Sequence, residues 1–307
     1  MDDEIIHVPV LYEEVLDYLQ PLPNGRYIDG TVGAGGHTLG ILKASAPDGR
    51  VLVFDKDPEA IRYTQMRLVE YRDRIVYVNA SYAEMGTLAP AHNFSQVNGI
   101  LLDLGLSSRQ LSSGERGFSF QQEGPLDMRF NPTTGETAAD LVNNLSESEL
   151  ADIFWQFGEM RNSRQIARII VANRPITTTT ELAQIISANV RKKGRIHPAT
   201  QLFQALRIEV NRELVALETG VKAAVDLLVA GGRLAVISFH SLEDRFVKQY
   251  FHQLEQECTC PPQQPVCTCN KRAVAKRITR RVCKPSAEEI STNPRSRSAR
   301  LRVIEKL

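Results

Sequence analysis

Residues 26–37 read Arg26-Tyr27-Ile28-Asp29-Gly30-Thr31-Val32-Gly33-Ala34-Gly35-Gly36-His37. Three kinds of local structure follow one another there. Residues 26–29 read as a strand. Residues 30–36 form a glycine-rich turn, where the backbone can approach a ligand with no Cβ in the way. Residues 37–45 suit a helix, whose first N–H groups have no partner within the helix. The same alternation continues outward. Residues 50–54 are a strand of β-branched and aromatic side chains, closed by Asp55. Pro58 falls where a first helical turn tolerates proline, and a helix is expected over 58–71. Residues 74–78 form a third strand, 82–88 a short helix, and 98–102 an apolar fourth strand ending at Asp103. This pattern predicts an α/β fold with a parallel, doubly wound sheet.

The alternation breaks over residues 106–136, which are rich in Ser, Gly, Arg and Pro and lack a period. A long irregular stretch of that kind is more often functional than decorative. Residues 146–228 are almost wholly helical. Ser146 and Glu149 make a capping box before Leu150, Ile153, Phe154 and Phe157. Helices are expected over 163–172 and 181–191, and another from Pro198. At Gly231-Gly232 the helical region ends, and strands return at 233–239 and 299–304 around a helix at 242–254. The architecture expected is therefore a discontinuous domain, residues 1–109 and 216–307, interrupted by a mostly helical domain over 110–215.

The net charge of +1 hides an asymmetry. Residues 271–307 hold 12 Lys and Arg against 3 Asp and Glu, a balance of +9, which leaves −8 on the rest. A basic tail on an acidic body points to a polyanionic partner, or else to a solvated tail. No apolar run reaches the ~18–20 residues of a membrane span. The opening Met1-Asp2-Asp3-Glu4 is acidic, unlike a signal peptide. The five cysteines, Cys258, Cys260, Cys267, Cys269 and Cys283, all fall within 26 residues. That is the usage of a reduced cytoplasmic protein rather than a disulfide-stapled one. Cys258-x-Cys260 and Cys267-x-Cys269 leave two readings open, a closed structural zinc site or a proline-rich loop with thiols. No metal is assigned.

The glycine turn fits a dinucleotide site poorly. The G-x-G-x-x-G fingerprint would need glycine where Thr38 follows Gly33-x-Gly35. Asp29 followed by clustered glycines resembles instead the first motif of Rossmann-like S-adenosylmethionine methyltransferases. Asp55 ends the second strand, 20 residues after Gly35. An acid at that point accepts hydrogen bonds from ribose hydroxyls. Asp103, in Leu101-Leu102-Asp103-Leu104-Gly105, ends the fourth strand and points at the crevice beyond the strand ends, unless it serves only as a cap.

More specific motifs follow in order: His7-Val8-Pro9-Val10-Leu11; Gly35-Gly36-His37; Leu102-Asp103-Leu104-Gly105 with Ser107-Ser108; Glu115-Arg116-Gly117-Phe118-Ser119-Phe120; Gly124-Pro125-Leu126-Asp127-Met128-Arg129; His197-Pro198-Ala199-Thr200; Ile237-Ser238-Phe239-His240-Ser241-Leu242-Glu243-Asp244-Arg245; and Asn293-Pro294-Arg295 with Arg297-Ser298. In this order and spacing the chain resembles the bacterial 16S rRNA cytosine-N4 methyltransferase family over nearly its whole length. The resemblance implies a Rossmann-like S-adenosylmethionine methyltransferase sheet with an inserted helical, substrate-recognising domain. It implies methyl transfer to the exocyclic amine of a cytidine in the decoding region of 16S rRNA. It implies cofactor contacts at Gly35, Gly36, His37, Asp55, Tyr82, Asp103 and Gln110. The partners implied are 16S rRNA or the small ribosomal subunit, with no membrane, and the chain working as a monomer or homodimer in the cytoplasm.

Transfer to an amine needs an acceptor for an amine proton. Asp103 is the first candidate for that catalytic contact, or for holding the methionine ammonium. His240, after a strand of the resumed sheet, is second. Arg116, Phe118, Phe120 and Arg129 in the irregular loop are candidates for holding an unstacked base, or for packing between the domains. Competing readings are a methyltransferase for another RNA or a protein, and a catalytically silent rRNA-binding assembly factor.

Overall fold

The computed structural model describes residues 9–107, 110, 111, 113–190, 197–258, 260, 264 and 268–307. The chain divides into two compact units, Met1–Gly105 with Ala216–Leu307, and Leu106–Val215. The first unit holds a seven-stranded sheet of β1 (Arg26–Asp29), β2 (Arg50–Phe54), β3 (Ile75–Val78), β4 (Val97–Asp103), β5 (Leu228–Ser238), β6 (Ala275–Arg277) and β7 (Arg300–Lys306). Helices α1 (Tyr12–Leu19), α2 (Gly36–Ala44), α3 (Pro58–Arg67) and α4 (Met85–Ala91) accompany the first strands. In the second unit come α5 (Ala138–Asn144), α6 (Glu147–Gln156), α7 (Ser163–Ala172), α8 (Thr179–Asn189) and α9 (Pro198–Asn211). The chain continues through α10 (Glu213–Leu227), α11 (Ser241–Glu255) and α12 (Ala287–Thr292).

The strand order is β3-β2-β1-β4-β5-β7-β6. The register pairs Ile28 with Leu52 and with Ile100, and Leu102 with Val236. Side chains alternate between the faces, so successive residues of one strand enter different cores. Ile28, Leu52, Ile100, Leu102 and Val236 pack on one face with Phe94, Val221 and Phe251. Tyr27, Val51, Val53, Leu101 and Ile237 pack on the other with Leu11, Val15 and Ile41. Both faces are covered, which is why these strands read as continuous apolar runs. Each such fully buried aliphatic side chain contributes about 1.5–3 kcal/mol.

One feature corrects the expectation of a parallel sheet. Strand β7 runs antiparallel to both β5 and β6. The α11 crossover brings β6 back parallel to β5, and β7 returns into the gap between them. Strand β6 reads Ala-Lys-Arg and has no apolar alternation, so the sequence did not announce it; a short, charged strand suits a sheet edge. Strand β5 also begins earlier than expected, at Leu228. Gly231-Gly232 lie inside it, where its register against β4 shifts between Val97 and Gly99 and Gly231 takes φ +78°. Those glycines mark a bulge rather than a helix end.

Local chemistry fixes the helix starts. Asp57 caps α3 by accepting from Glu59 N at 2.9 Å, and Pro58 occupies its first turn. Ser146 and Glu149 form the expected capping box on α6, with Ser146 N donating to Glu149 Oε2 at 2.8 Å.

The helical unit has its own core, including Leu150, Phe154, Ile166, Ile170, Leu182, Leu202 and Leu206. The irregular loop packs into that core, as the packing alternative expects. Phe118 is buried and stacks on Phe130 with centroids 5.7 Å apart. Phe120 stacks on His197 at 4.9 Å and meets Phe203 edge-on. Arg116 donates to the carbonyls of Arg129 and Phe130, and Arg129 grips Asp127 through two hydrogen bonds of 2.8 and 2.7 Å. These side chains build the unit they sit in.

Candidate cofactor and active site

Strand β1 lies between β2 and β4. The chain therefore winds away from β1 in opposite directions, and the crevice beyond the carboxyl ends of these strands is where such sheets bind ligands. An aspartate stands at the end of each: Asp29 closes β1, Asp55 follows β2, and Asp103 closes β4.

The glycine turn is held open by its neighbours. Val32 N donates to Phe54 O at 2.9 Å, and Gly33 N donates to Asp55 Oδ2 at 2.9 Å. Thr64 Oγ1 donates to Gly33 O at 3.0 Å, and Arg67 Nη1 to Ala34 O at 2.6 Å. Gly35 takes φ +77°, and a Cβ there would come within 2.8 Å of Thr64 Cγ2. A Cβ on Gly36 would lie 2.4 Å from Pro9 Cγ. The turn therefore has no room for larger residues at either position.

Asp55 receives Gly33 N on Oδ2 and Asp57 N on Oδ1, the latter also at 2.9 Å. Each oxygen keeps a second lone pair, so the group retains acceptor capacity for hydroxyls. Burial pushes its pKa up to about 6; the two N–H donors oppose this, and Asp57 and Asp29 reinforce it. Asp29 is buried and accepts from Thr38 Oγ1 at 2.6 Å and Thr31 N at 3.1 Å. Burial pushes it too up to about 6.

Asp103 is the outlier. Its backbone N–H donates to Thr31 Oγ1 at 2.8 Å, which ties the end of β4 to the residue after Gly30. Its Oδ2 lies 3.7 Å from His37 Nε2. Its Oδ1 is buried with no hydrogen-bond partner among the described residues. Burial, then the carboxylates of Asp29 and Glu243, push its pKa up to about 8. The protein's own groups thus leave Asp103 mostly protonated at neutral pH.

Other expected residues take definite places. His37 is buried in the first turn of α2, its ring stacked on Tyr12 at 6.1 Å. Tyr82 opens a one-turn 3-10 helix after β3. Its ring lies against Gly220 of α10, where a Cβ would fall 2.4 Å from Tyr82 Cδ2. Gln110 belongs to the helical unit, is buried, and accepts from Ser107 N through Oε1 at 3.0 Å. His240 Nε2 lies 3.1 Å from Glu243 Oε1. Glu243 is buried and receives Phe239 N at 2.9 Å and His240 N at 3.3 Å. His7, Val8 and Ser108 of the quoted motifs lie outside the described residues.

Sequence reasoning missed three contributors. Thr31 links Asp29 to Asp103, Thr38 holds Asp29, and Glu243 raises the pKa of Asp103. For the threonines the only signal is their place within or just after the glycine run. For Glu243 it is the spacing His240-x-x-Glu243 at a helix start.

A pyrophosphate would be repelled by the carboxylates of Asp29 and Asp55 at adjacent strand ends. A sulfonium that also carries an ammonium group suits them, and the buried, partnerless oxygen of Asp103 is the kind of atom such a cation would satisfy. The class defined in this way is the Rossmann-like, S-adenosylmethionine-dependent methyltransferases. Comparison with known proteins narrows it. The family model described as the MraW methylase family matches residues 4–307. Ribosomal RNA small subunit methyltransferase H of Thermomicrobium roseum is 52% identical over 305 residues, covering 98% of this chain and 94% of that protein. The protein of the same name from Heliobacterium mobile is 47% identical over 312 residues, covering 99% and 100%. Among solved structures, an rRNA methylase from Streptococcus thermophilus aligns with 99% of each chain at TM-score 0.43 and 13% identity. This chain belongs to the MraW methylase family, and its cofactor is S-adenosylmethionine. Among the described residues no helix is long and apolar enough to cross a membrane.

Proposed function

We propose that this protein methylates the exocyclic N4 amine of a cytidine in the decoding region of 16S rRNA, in the cytoplasm. The observation that carries the reading is the buried Oδ1 of Asp103 at the end of β4, which has no hydrogen-bond partner among the described residues, in a chain of this family. Bound S-adenosylmethionine supplies an electrophilic methyl carbon on a positively charged sulfur. The chain's own residues do the rest. Positive charge beside Asp103 lowers its pKa, converting a protonated acid into a carboxylate acceptor. The cytosine amine is a weak nucleophile because its lone pair is delocalised into the ring. A carboxylate oxygen accepting one amine hydrogen localises that pair as the new bond forms, and takes the proton as the amine is methylated. The Thr31–Asp103 hydrogen bond fixes the strand end that presents this oxygen.

The choice of amine over ring carbon also has support in the sequence. Methylation at pyrimidine C5 runs through a thiolate added to C6, and this chain has no cysteine before Cys258. The loops after β1, β2 and β4 therefore contain no such nucleophile. The helical unit begins at Leu106, just past Asp103 in the sequence, and we assign it the recognition of rRNA. The exposed cations Arg272, Lys276, Arg280, Arg281, Lys284, Arg295 and Arg297 supply phosphate contacts. Small subunits lacking the modification, incubated with labelled cofactor, should take up label with the wild-type protein and not with Asp103→Ala. Normal turnover by a folded Asp103→Ala variant would leave that residue as a cap and remove the mechanism.

A further inference from the structure

The segment after α11 brings three thiols together. The sulfurs of Cys258, Cys260 and Cys269 all lie within 4.8 Å of one another. Those of Cys258 and Cys269 are 3.8 Å apart, far beyond the ~2.05 Å of a disulfide. A tetrahedral zinc ion with sulfurs at about 2.3 Å places them about 3.8 Å from each other. The backbone N–H of Cys260 also donates to Cys258 Sγ at 3.3 Å. Amide donors of this kind offset thiolate charge around a bound metal.

We propose that Cys258, Cys260 and Cys269 bind a structural zinc ion as thiolates. Cys267, of the second Cys-x-Cys pair, lies outside the described residues. The surroundings explain what the ion is for. The base of the segment is already pinned: Arg277 N and Nε donate to Glu255 at 3.0 and 2.7 Å. Lys271 Nζ donates to Gln253 O at 2.7 Å, and Val274 N to Leu254 O at 2.8 Å. Residues 256–270 contain one aliphatic side chain, Val266, besides cysteine and proline. A sequence so poor in apolar side chains offers little to bury, and a metal crosslink supplies stability in its place. The ion would hold the segment that leads from α11 into β6, beside the exposed Arg272 and Lys276.

Elemental analysis of the full chain purified without chelator should find about one zinc per chain. Chelator-stripped protein titrated with Co²⁺ should develop the intense d–d and thiolate-to-metal charge-transfer bands of tetrahedral, thiolate-bound cobalt. Cys258→Ser and Cys269→Ser should lose metal and bands, while Cys283→Ser keeps both, with circular dichroism checking the fold of each. The cobalt titration of the wild-type chain needs no variant, so the test survives a variant that fails to fold. Less than about a tenth of an equivalent of metal, with every thiol titrating, overturns the proposal. So does a Cys258–Cys269 disulfide found by mass, or full metal content in both serine variants.

Discussion

The backbone N–H of Gly33 donates to Asp55 Oδ2 at 2.9 Å. One carboxylate thus shapes the glycine turn after β1 and stands where the ribose of the cofactor is expected. Replacing Asp55 by alanine removes an anchor of the turn and the ribose acceptor together. A hydrogen bond to a charged group contributes about 1.5–3 kcal/mol. Cofactor binding measured by calorimetry should therefore weaken at least about tenfold. Unchanged affinity in a folded variant removes Asp55 from the ribose.

Gly35→Ala should cost more stability than Gly135→Ala. Both glycines have positive φ, +77° and +85°, a backbone penalty of about 1–2 kcal/mol for an L side chain. Only Gly35 would also press its Cβ on Thr64; Gly135 has nothing within 4 Å. Thermal melts of the two variants give the comparison. Equal losses would mean that the turn's tight packing on Thr64 adds nothing.

Cofactor affinity should rise with pH toward a plateau near pH 8. Burial raises the pKa of Asp103 to about 8, and a bound cation favours its carboxylate, so binding below that pH releases a proton. The same shift makes the protein without cofactor lose stability as pH rises from the group's unfolded value toward about 8, because the native state holds its proton longer. Asp29 and Asp55, raised to about 6, titrate lower in the range. Asp103→Asn should flatten the upper part of the affinity profile. A wild-type affinity that does not change between about pH 6.5 and 8 contradicts the assignment.

The basic tail should separate into structural and RNA-binding cations. Arg300 and Arg302 both grip the buried Asp244, at 2.8 and 2.7 Å, and hold it below the usual carboxylate range. Arg302→Ala should lower the melting temperature. Arg280 and Arg281 are exposed. Changing both to alanine should leave the melt unchanged and reduce the salt dependence of rRNA binding by about 0.7–0.9 per charge removed. An unchanged salt slope takes these residues out of the interface.

The strand-end acids were legible in the sequence because each closes an apolar run, and a turn or a loop must follow. The glycine turn was legible because its composition suits little else. Hydrogen bonds between distant segments leave no periodic trace, so the bridge from Thr31 to Asp103 became visible only in the fold. Strand β6 escaped because an edge strand of Ala-Lys-Arg buries one small side chain. The aromatic loop left two readings open because Phe and Arg serve equally to stack a base and to fill a core; the carbonyls that Arg116 reaches show its packing role. Five of the twelve basic residues of the tail are likewise structural, since Lys271, Arg277, Arg300, Arg302 and Lys306 bind groups of their own unit.

The most direct test of the central claim is nucleoside analysis of the product. Small ribosomal subunits methylated by the purified protein would be digested to nucleosides and resolved by chromatography and mass spectrometry. N4-methylcytidine, C5-methylcytidine and 2′-O-methylcytidine are isomers with distinct retention and fragmentation. N4-methylcytidine, formed by the wild type and lost in Asp103→Ala, is the predicted result. Methyl label found only on C5, on the ribose, or on no nucleoside at all would contradict it.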